Sequence, residues 1–266
     1  MSTFAVCGYG NMGQAVVEGA VRAGVLAASD VLAIEPDATR RGDAERFGCR
    51  VSADAADARD APEVLLAVKP QSFPELARRL TTRSCRTTFI SVMAGLSGRR
   101  ILDAIGDRTA HAVIRAMPNT PCRLGLGVTG IALSEGAAPG DDGLAMRLFA
   151  AVGRTVRVPE GMLDAVTATS GSGPAYLFLL AEAWERGARD LGFDQATARE
   201  LVRQTIVGAA RMLEDRSADA ADLRAAVTSK GGTTAAALAV LEARGFADAM
   251  REALAAAERR GRELGT

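Results

Sequence analysis

The sequence predicts an α/β protein, with an N-terminal doubly wound, mostly parallel sheet followed by an all-helical region. Three observations predict it. Short continuous apolar runs alternate with helical stretches through the first half of the chain, as in sheets covered on both faces. A glycine-rich turn follows the first run and opens the first helix. From about Val158 the strand-like runs stop, and Ala-rich helical periodicity continues to the end.

Strands are expected at Phe4–Cys7, Val31–Ile34, Val64–Ala67, Thr88–Val92, Ala112–Ala116 and Gly127–Leu133. Helices are expected between them over Met12–Ala23, Thr39–Phe47, Pro74–Leu80 and Leu96–Ile105. Asp141–Val152 reads as a closing helix and Arg154–Val158 as a short extended piece. Ser170-Gly171-Ser172-Gly173-Pro174 reads as a loop running into a helix, with Pro174 suited to its first turn. That helix reaches about Leu191 and stops at Gly192, and Asp194 caps the next, which continues to about Asp215. Ala220–Val227, Thr234–Ala243 and Phe246–Leu264 supply the rest. The stretch Ala175-Leu177-Phe178-Leu179-Leu180-Ala181 is apolar all round, which suits a helix buried on several sides, most easily in a dimer core. The change of character divides the chain into domains at 1–157 and 158–266.

Composition excludes several function classes. The 32 basic and 32 acidic residues balance, and the pI is near 6.6, which argues against nucleic acid or an anionic membrane as the main partner. Cys7, Cys49, Cys85 and Cys122 lie far apart with no C-x-x-C pair, as in the reduced, mostly buried thiols of an intracellular protein; neither a disulfide frame nor a metal site is expected. The first strand begins at Phe4, leaving no room for a signal peptide, and no apolar run approaches the ~20 residues of a membrane span. The expectation is a soluble cytoplasmic protein without a membrane partner. The only histidine, His111, stands just before an apolar strand, with no nucleophile or metal-ligand pattern beside it. It reads as a strand-entrance residue, and the chemistry is expected to need little acid–base help.

Gly8-Tyr9-Gly10-Asn11-Met12-Gly13 carries the sharpest signal. G-x-G-x-x-G is weak alone, but here it has the strand–turn–helix context of a dinucleotide site. Gly8 allows the tight turn, Gly10 lets backbone approach a pyrophosphate, and Gly13 lets helix and strand pack closely. The helix N-terminus then faces the phosphate charge. Glu35 follows the second strand, where an acid favours NADH by bonding the adenosine ribose and repelling a 2′-phosphate. Arg40 and Arg41 lie just downstream and could reach such a phosphate, so NADH and NADPH both stay open.

Further segments match one family in order: Ala67-Val68-Lys69-Pro70, Arg115-Ala116-Met117-Pro118-Asn119-Thr120-Pro121, Ser170-Gly171-Ser172-Gly173-Pro174-Ala175-Tyr176, and Leu223 to Thr234 ending Ser229-Lys230-Gly231-Gly232-Thr233-Thr234. With the glycine motif they make the chain resemble the pyrroline-5-carboxylate reductases from end to end. The resemblance implies an N-terminal Rossmann domain, a C-terminal helical dimerisation domain and an active site between them. It implies a homodimer whose chains share active sites, and rings of dimers. It also implies reduction of 1-pyrroline-5-carboxylate to proline by NADPH or NADH. By the family pattern, Val68, Lys69 and Pro70 line the cofactor cleft together with Met117, Pro118, Asn119 and Thr120, the latter group near the nicotinamide. Ser229, Gly231, Gly232, Thr233 and Thr234 match the loop that holds the substrate carboxylate and ring nitrogen.

Residue chemistry agrees on that loop. Its small residues feed a helix start, where successive backbone N–H groups suit a carboxylate. Gly231 and Gly232 allow close approach and positive φ, and the Thr234 hydroxyl can orient the ring nitrogen. Two positions depart from the family: Lys230 stands where proline is usual, and Glu35 where NADPH-preferring members often have small or hydroxylated residues. The rival enzymatic reading is a β-hydroxyacid dehydrogenase, which places a lysine on the helix opening its second domain. Lys69 and Lys230 are the only lysines here, and neither lies in Pro174–Leu191. A non-catalytic dinucleotide-binding sensor is the alternative from another class.

Overall fold

The computed structural model describes residues 4–80, 86–106, 111–215, 217 and 219–265; Cys85 lies outside them. The chain forms two units, Met1–Ser172 with Ala256–Thr266, and Gly173–Ala255.

In the first unit the strands are β1 (Phe4–Cys7), β2 (Val31–Ile34), β3 (Arg50–Ser52), β4 (Glu63–Leu66), β5 (Thr87–Ser91), β6 (His111–Met117), β7 (Gly127–Leu133) and β8 (Gly153–Arg157). They form one eight-stranded sheet in the order β3-β2-β1-β4-β5-β6-β7-β8. Every pairing is parallel except β6 with β7. This is the expected doubly wound, mostly parallel α/β fold. The chain winds outward from β1 to β3, then returns to β4 on the other side of β1. Such a reversal opens a crevice outside the carboxyl ends of the strands.

Helices cover both faces of the sheet. They are α1 (Asn11–Arg22), α2 (Ala38–Arg46), α3 (Phe73–Arg79), α4 (Gly98–Ile105) and α5 (Gly143–Ala150). Successive β1 side chains point to opposite faces and feed two cores. Phe4 and Val6 pack with Val16, Val17 and Ala20 of α1 and Leu148 and Phe149 of α5. Ala5 and Cys7 pack with Phe73 and Ala77 of α3 and Ile101, Leu102 and Ile105 of α4. Each large aliphatic or aromatic side chain buried in this way stabilises by roughly 1.5–3 kcal/mol. Polar caps set the helix ends: Asp37 accepts the Arg40 N–H at 2.9 Å to start α2, and Gly106 at φ +95° ends α4.

Two features differ from the sequence expectation. The edge strand β3 was not expected, because Arg50-Val51-Ser52 is half exposed and too short to show a period. The loop expected at 170–174 is helical instead: after α6 (Leu163–Val166) the chain makes a π-turn over Thr167–Gly171. Serine and glycine signal a break, but here hydroxyls support the wide turn. Thr167 Oγ1 donates to the Leu163 carbonyl at 2.8 Å, and Ser170 Oγ to the Val166 carbonyl at 3.0 Å.

The second unit is helical: α7 (Gly173–Asp190), α8 (Gln195–Met212), α9 (Ala220–Ala226), α10 (Thr233–Ala243) and α11 (Phe246–Leu264), whose residues from Ala256 on group with the first unit. Gly192 at φ +101° separates α7 from α8, and Asp194 caps α8 by accepting the Thr197 N–H at 2.9 Å, both as expected. On α7 the expected burial is not met within one chain, since Phe178 and Leu179 are 61% and 66% exposed. No helix among the described residues is long and apolar enough to cross a membrane.

His111 opens β6 in register with Thr87, at the edge of the sheet opposite Gly8. It is buried, its Nδ1 accepts the Thr87 N–H at 3.2 Å, and its ring meets Phe89 edge-on at 5.6 Å. His111→Ala leaves a buried donor without that acceptor. The expected cost is about 1–3 kcal/mol of unfolding free energy in urea, with turnover per folded molecule within about twofold of wild type. A catalytic collapse without a stability loss would contradict this structural role.

Candidate active site

The sheet register brings Cys7, Leu66, Ser91 and Arg115 level with one another, and Ile34 level with Cys7. The residues that follow these strand ends therefore gather on one edge. They include Gly8, Glu35, Val68 and, beyond β6, Pro118 and Asn119. The expected dinucleotide residues are thus brought together in the first unit. The expected substrate loop, Ser229–Thr234, belongs to the second unit.

Each motif glycine meets a separate steric demand. Gly8 has φ +99°, and a Cβ there would lie 2.6 Å from the Ala67 carbonyl oxygen. A Cβ on Gly13 would run into the Gly8 carbonyl oxygen. Gly10 is open, and a Cβ on it would meet only Arg40 Nη1, at 3.5 Å. Gly10 also caps α1 with no side-chain hydrogen bond, so the first-turn amides of Asn11, Met12 and Gly13 have no intrahelical acceptor. An open backbone cradle with unsatisfied donors and the positive end of a helix dipole fits a pyrophosphate.

The other residues of the motif face different ways. The Tyr9 ring points into the core, 1% exposed, and only its backbone belongs to the loop. Its hydroxyl faces the Cys49 thiol without a regular hydrogen bond, and burial pushes the pKa of both groups up. Burial likewise pushes the Cys122 thiol up, so these buried thiols are poor nucleophiles. Asn11 is exposed and lines a cavity of about 590 Å³ with Gln14, Glu18, Arg22, Cys122 and Arg123. Met12 is half-buried against the core.

Glu35 is 5% exposed and holds the loop from beneath. Its Oε2 accepts the Tyr9 N–H at 2.8 Å, and its Oε1 accepts the Asp37 N–H at 3.1 Å. Arg41 Nη1 donates to the Glu35 and Pro36 carbonyl oxygens at 2.9 and 2.7 Å. Sequence reading placed Glu35 at the adenosine ribose and gave no sign of this brace, which depends on how the loop folds back over β2.

Among the remaining residues of this edge, Lys69 is exposed, Val68 is half-buried, and Pro70 opens a short 3-10 turn over Pro70–Ser72. Met117, Pro118 and Asn119 are buried, while Thr120 is exposed at the start of the next turn. Both ends of the Asn119 amide are engaged: Nδ2 donates to the Ser170 carbonyl at 3.1 Å, and Oδ1 accepts the Val128 N–H at 2.9 Å. It thereby ties the end of β6 to β7 and to a carbonyl of the π-turn. A second brace escaped the sequence reading. Glu160 Oε1 accepts the Gly98 N–H at 3.0 Å and lies 3.4 Å from the buried Arg115 Nη1. The available signal was an arginine inside an apolar strand, which requires a partner when buried.

In the second unit Gly232 caps α10 with no side-chain hydrogen bond, leaving the first-turn amides of Thr233 and Thr234 without intrahelical acceptors. The two glycines divide their expected roles. Gly231 takes φ +71°, whereas Gly232 makes the close approach, where a Cβ would strike Ser229 Oγ. The Gly232 N–H donates to the Ser229 carbonyl at 3.1 Å, closing the turn. Thr234 is half-buried, and Lys230 is exposed in the same turn.

A glycine loop at the switch point of a doubly wound sheet, joined to a helical second unit, defines a dinucleotide-dependent oxidoreductase. Comparison with known proteins narrows the class. Residues 160–264 match the model for pyrroline-5-carboxylate reductase dimerisation, and residues 3–95 that for NADP oxidoreductase, coenzyme F420-dependent. The pyrroline-5-carboxylate reductase of Synechocystis sp. is 40% identical over 98% of this chain and 97% of its own length. That of Haemophilus influenzae is 38% identical over 98% and 97%. The structure of a pyrroline-5-carboxylate reductase from Coxiella burnetii superposes with a TM-score of 0.91 at 32% identity, covering 100% of this chain and 99% of that one. The chain belongs to the pyrroline-5-carboxylate reductase family.

The brace beneath the glycine loop is directly testable. Glu35→Ala leaves the Tyr9 and Asp37 amides without acceptors, and is expected to cost about 1–3 kcal/mol in urea unfolding. An unchanged midpoint and slope would show that the loop holds its shape without Glu35.

Proposed function

We propose that the protein reduces 1-pyrroline-5-carboxylate to L-proline, the last step of proline biosynthesis, with NADH or NADPH as reductant. The observation that carries this reading is the match between two loops and their tasks. The first cradles a pyrophosphate on backbone amides, and the second presents backbone amides to a carboxylate. Membership of the reductase family over nearly the whole chain supports it.

When bound, the reduced nicotinamide supplies a hydride to the imine carbon. The chain supplies binding and orientation. Gly8, Gly10 and Gly13 shape the cradle, and the Asn11, Met12 and Gly13 amides hold the phosphates. Val68, Lys69 and Pro70 line the cofactor cleft with Met117, Pro118 and Asn119, and Asn119 acts by fixing the end of β6. In the second loop the Thr233 and Thr234 amides, beside Ser229, Gly231 and Gly232, receive the substrate carboxylate. The Thr234 hydroxyl orients the ring nitrogen. A cyclic imine is basic enough to arrive substantially as an iminium ion near neutral pH, already electrophilic at carbon. Alignment of the reacting atoms then contributes most of the acceleration.

Residues 1–157 serve the dinucleotide, and residues 158–266 serve dimerisation and substrate. The homodimer reading is supported by the apolar face of α7, where Leu177, Phe178, Leu179, Leu180 and Trp184 are all substantially exposed in one chain. A ring of such dimers and a cytoplasmic location complete the proposal.

The primary assay is imine-dependent loss of reduced-nicotinamide absorbance, with NADH and NADPH in parallel; a folded protein that oxidises neither would remove the reading. Thr234→Ala is expected to lower kcat about tenfold or more while dinucleotide affinity stays within about twofold, because the hydroxyl acts on substrate alone. Phe178→Glu with Leu179→Glu is expected to shift sedimentation from dimer to monomer; an unaltered dimer would exclude this face as the interface.

A further inference from the structure

The turn after β2 sorts its charges by direction. Both acids are turned to backbone amides: Glu35 accepts from Tyr9 and Asp37, and Asp37 Oδ1 accepts from Arg40. Arg41 is tied to the Glu35 and Pro36 carbonyl oxygens through Nη1. The Arg40 guanidinium makes no hydrogen bond or ion pair among the described residues, and it rides over Gly10. It is the neighbour that a side chain on that open glycine would meet. A planar cation with all its donors free, between the glycine loop and the end of β2, is suited to two phosphate oxygens.

We propose that Arg40 is the specificity-determining residue for the cofactor, binding the 2′-phosphate of NADPH. The acid at the end of β2 then acts as a loop brace and does not exclude that phosphate. This deepens the reading of the first unit as a dinucleotide site and rests on it. Two features favour the 2′-phosphate over the shared pyrophosphate. Arg40 comes from the segment following β2, the strand whose end addresses the adenosine ribose. The pyrophosphate already has the first-turn amides of α1, whereas the segment that follows β2 offers a 2′-phosphate two cations, Arg40 and the tethered Arg41. Glu35, buried at 5% exposure with one amide on each oxygen, has its charge offset by hydrogen bonds it would keep in the complex.

The test is calorimetric titration of the wild-type protein and Arg40→Ala with NADPH, NADH, adenosine 2′,5′-bisphosphate and ADP, without substrate. Wild type is expected to bind NADPH more tightly than NADH. Arg40→Ala should weaken NADPH about tenfold or more, and adenosine 2′,5′-bisphosphate in parallel, while NADH and ADP change less than about twofold. Arg40→Lys should recover part of the NADPH affinity, since a point cation keeps the charge and loses the fork. Equal losses for NADPH and NADH would place Arg40 on the pyrophosphate and overturn the assignment, as would tighter wild-type binding of NADH. Failure of the wild type to bind either dinucleotide would overturn the functional reading itself. That outcome is distinct from a protein that binds both dinucleotides and ignores the substitution.

Discussion

The close approach of Gly8 to the backbone of Ala67 is the constraint on which the rest of the first unit depends. At this level the ladder is still hydrogen-bonded on both sides: the Gly8 N–H donates to the Ile34 carbonyl at 2.9 Å, and the Ala67 N–H to the Cys7 carbonyl at 2.8 Å. The turn therefore begins with no lateral freedom. Only a residue without Cβ can take φ +99° there with a carbonyl oxygen 2.6 Å from the Cβ position. Where Gly8 turns fixes where α1 starts, and Gly13 fixes how closely the helix lies on the turn. The three first-turn amides without intrahelical acceptors are thus aimed by sterics, and Glu35 secures the loop by taking the amide of Tyr9.

The same economy holds at the other strand ends. Asn119 and Glu160 spend their side chains on backbone groups of neighbouring segments, Ser170 and Val128 in one case and Gly98 in the other. Each brace satisfies part-buried polar groups, and each fixes a loop on the edge where the expected cofactor residues collect. Residues singled out by motif therefore serve two ways. Gly8, Gly10 and Gly13 are required for what their absent side chains permit, while Tyr9, Glu35 and Asn119 hold the frame from behind it.

The fold was legible because parallel strands buried on both faces must be apolar throughout, so β1 and β2 could be bounded from their runs alone. The glycine loop stood out through its strand–turn–helix context, and the second loop through the family resemblance, with its small residues at a helix start in agreement. What escaped was non-local or too short. β3 is three residues at an edge, and pairing with β2 defines it more than its own pattern does. The π-turn at Thr167–Gly171 looked like a loop because hydroxyl-to-carbonyl bonds, invisible to periodicity, keep it helical. The carboxylate of Glu35 could be placed at the end of β2 from sequence, but its partners depend on Tyr9 folding back across the strand. The apolar periphery of α7 reads from sequence as a surface to be buried, and one chain leaves Phe178 and Leu179 mostly exposed.

The distribution of titratable groups explains why the chemistry suits this scaffold. The single histidine is committed to the core edge opposite the glycine loop, with Nδ1 already accepting a backbone proton donor. Of the two tyrosines, Tyr9 is sealed in the core, where burial raises its pKa and removes it from proton transfer near neutrality. The buried thiols are shifted in the same direction. With His111 and Tyr9 committed in this way, the scaffold suits an electrophile that brings its own proton. A ring imine does so, because protonation at nitrogen is what activates its carbon. The remaining demand is to hold two reactants at near contact, worth roughly 7–11 kcal/mol when well met. Rigid backbone cradles meet that demand better than mobile side chains, which accounts for glycines and free amides dominating both candidate loops.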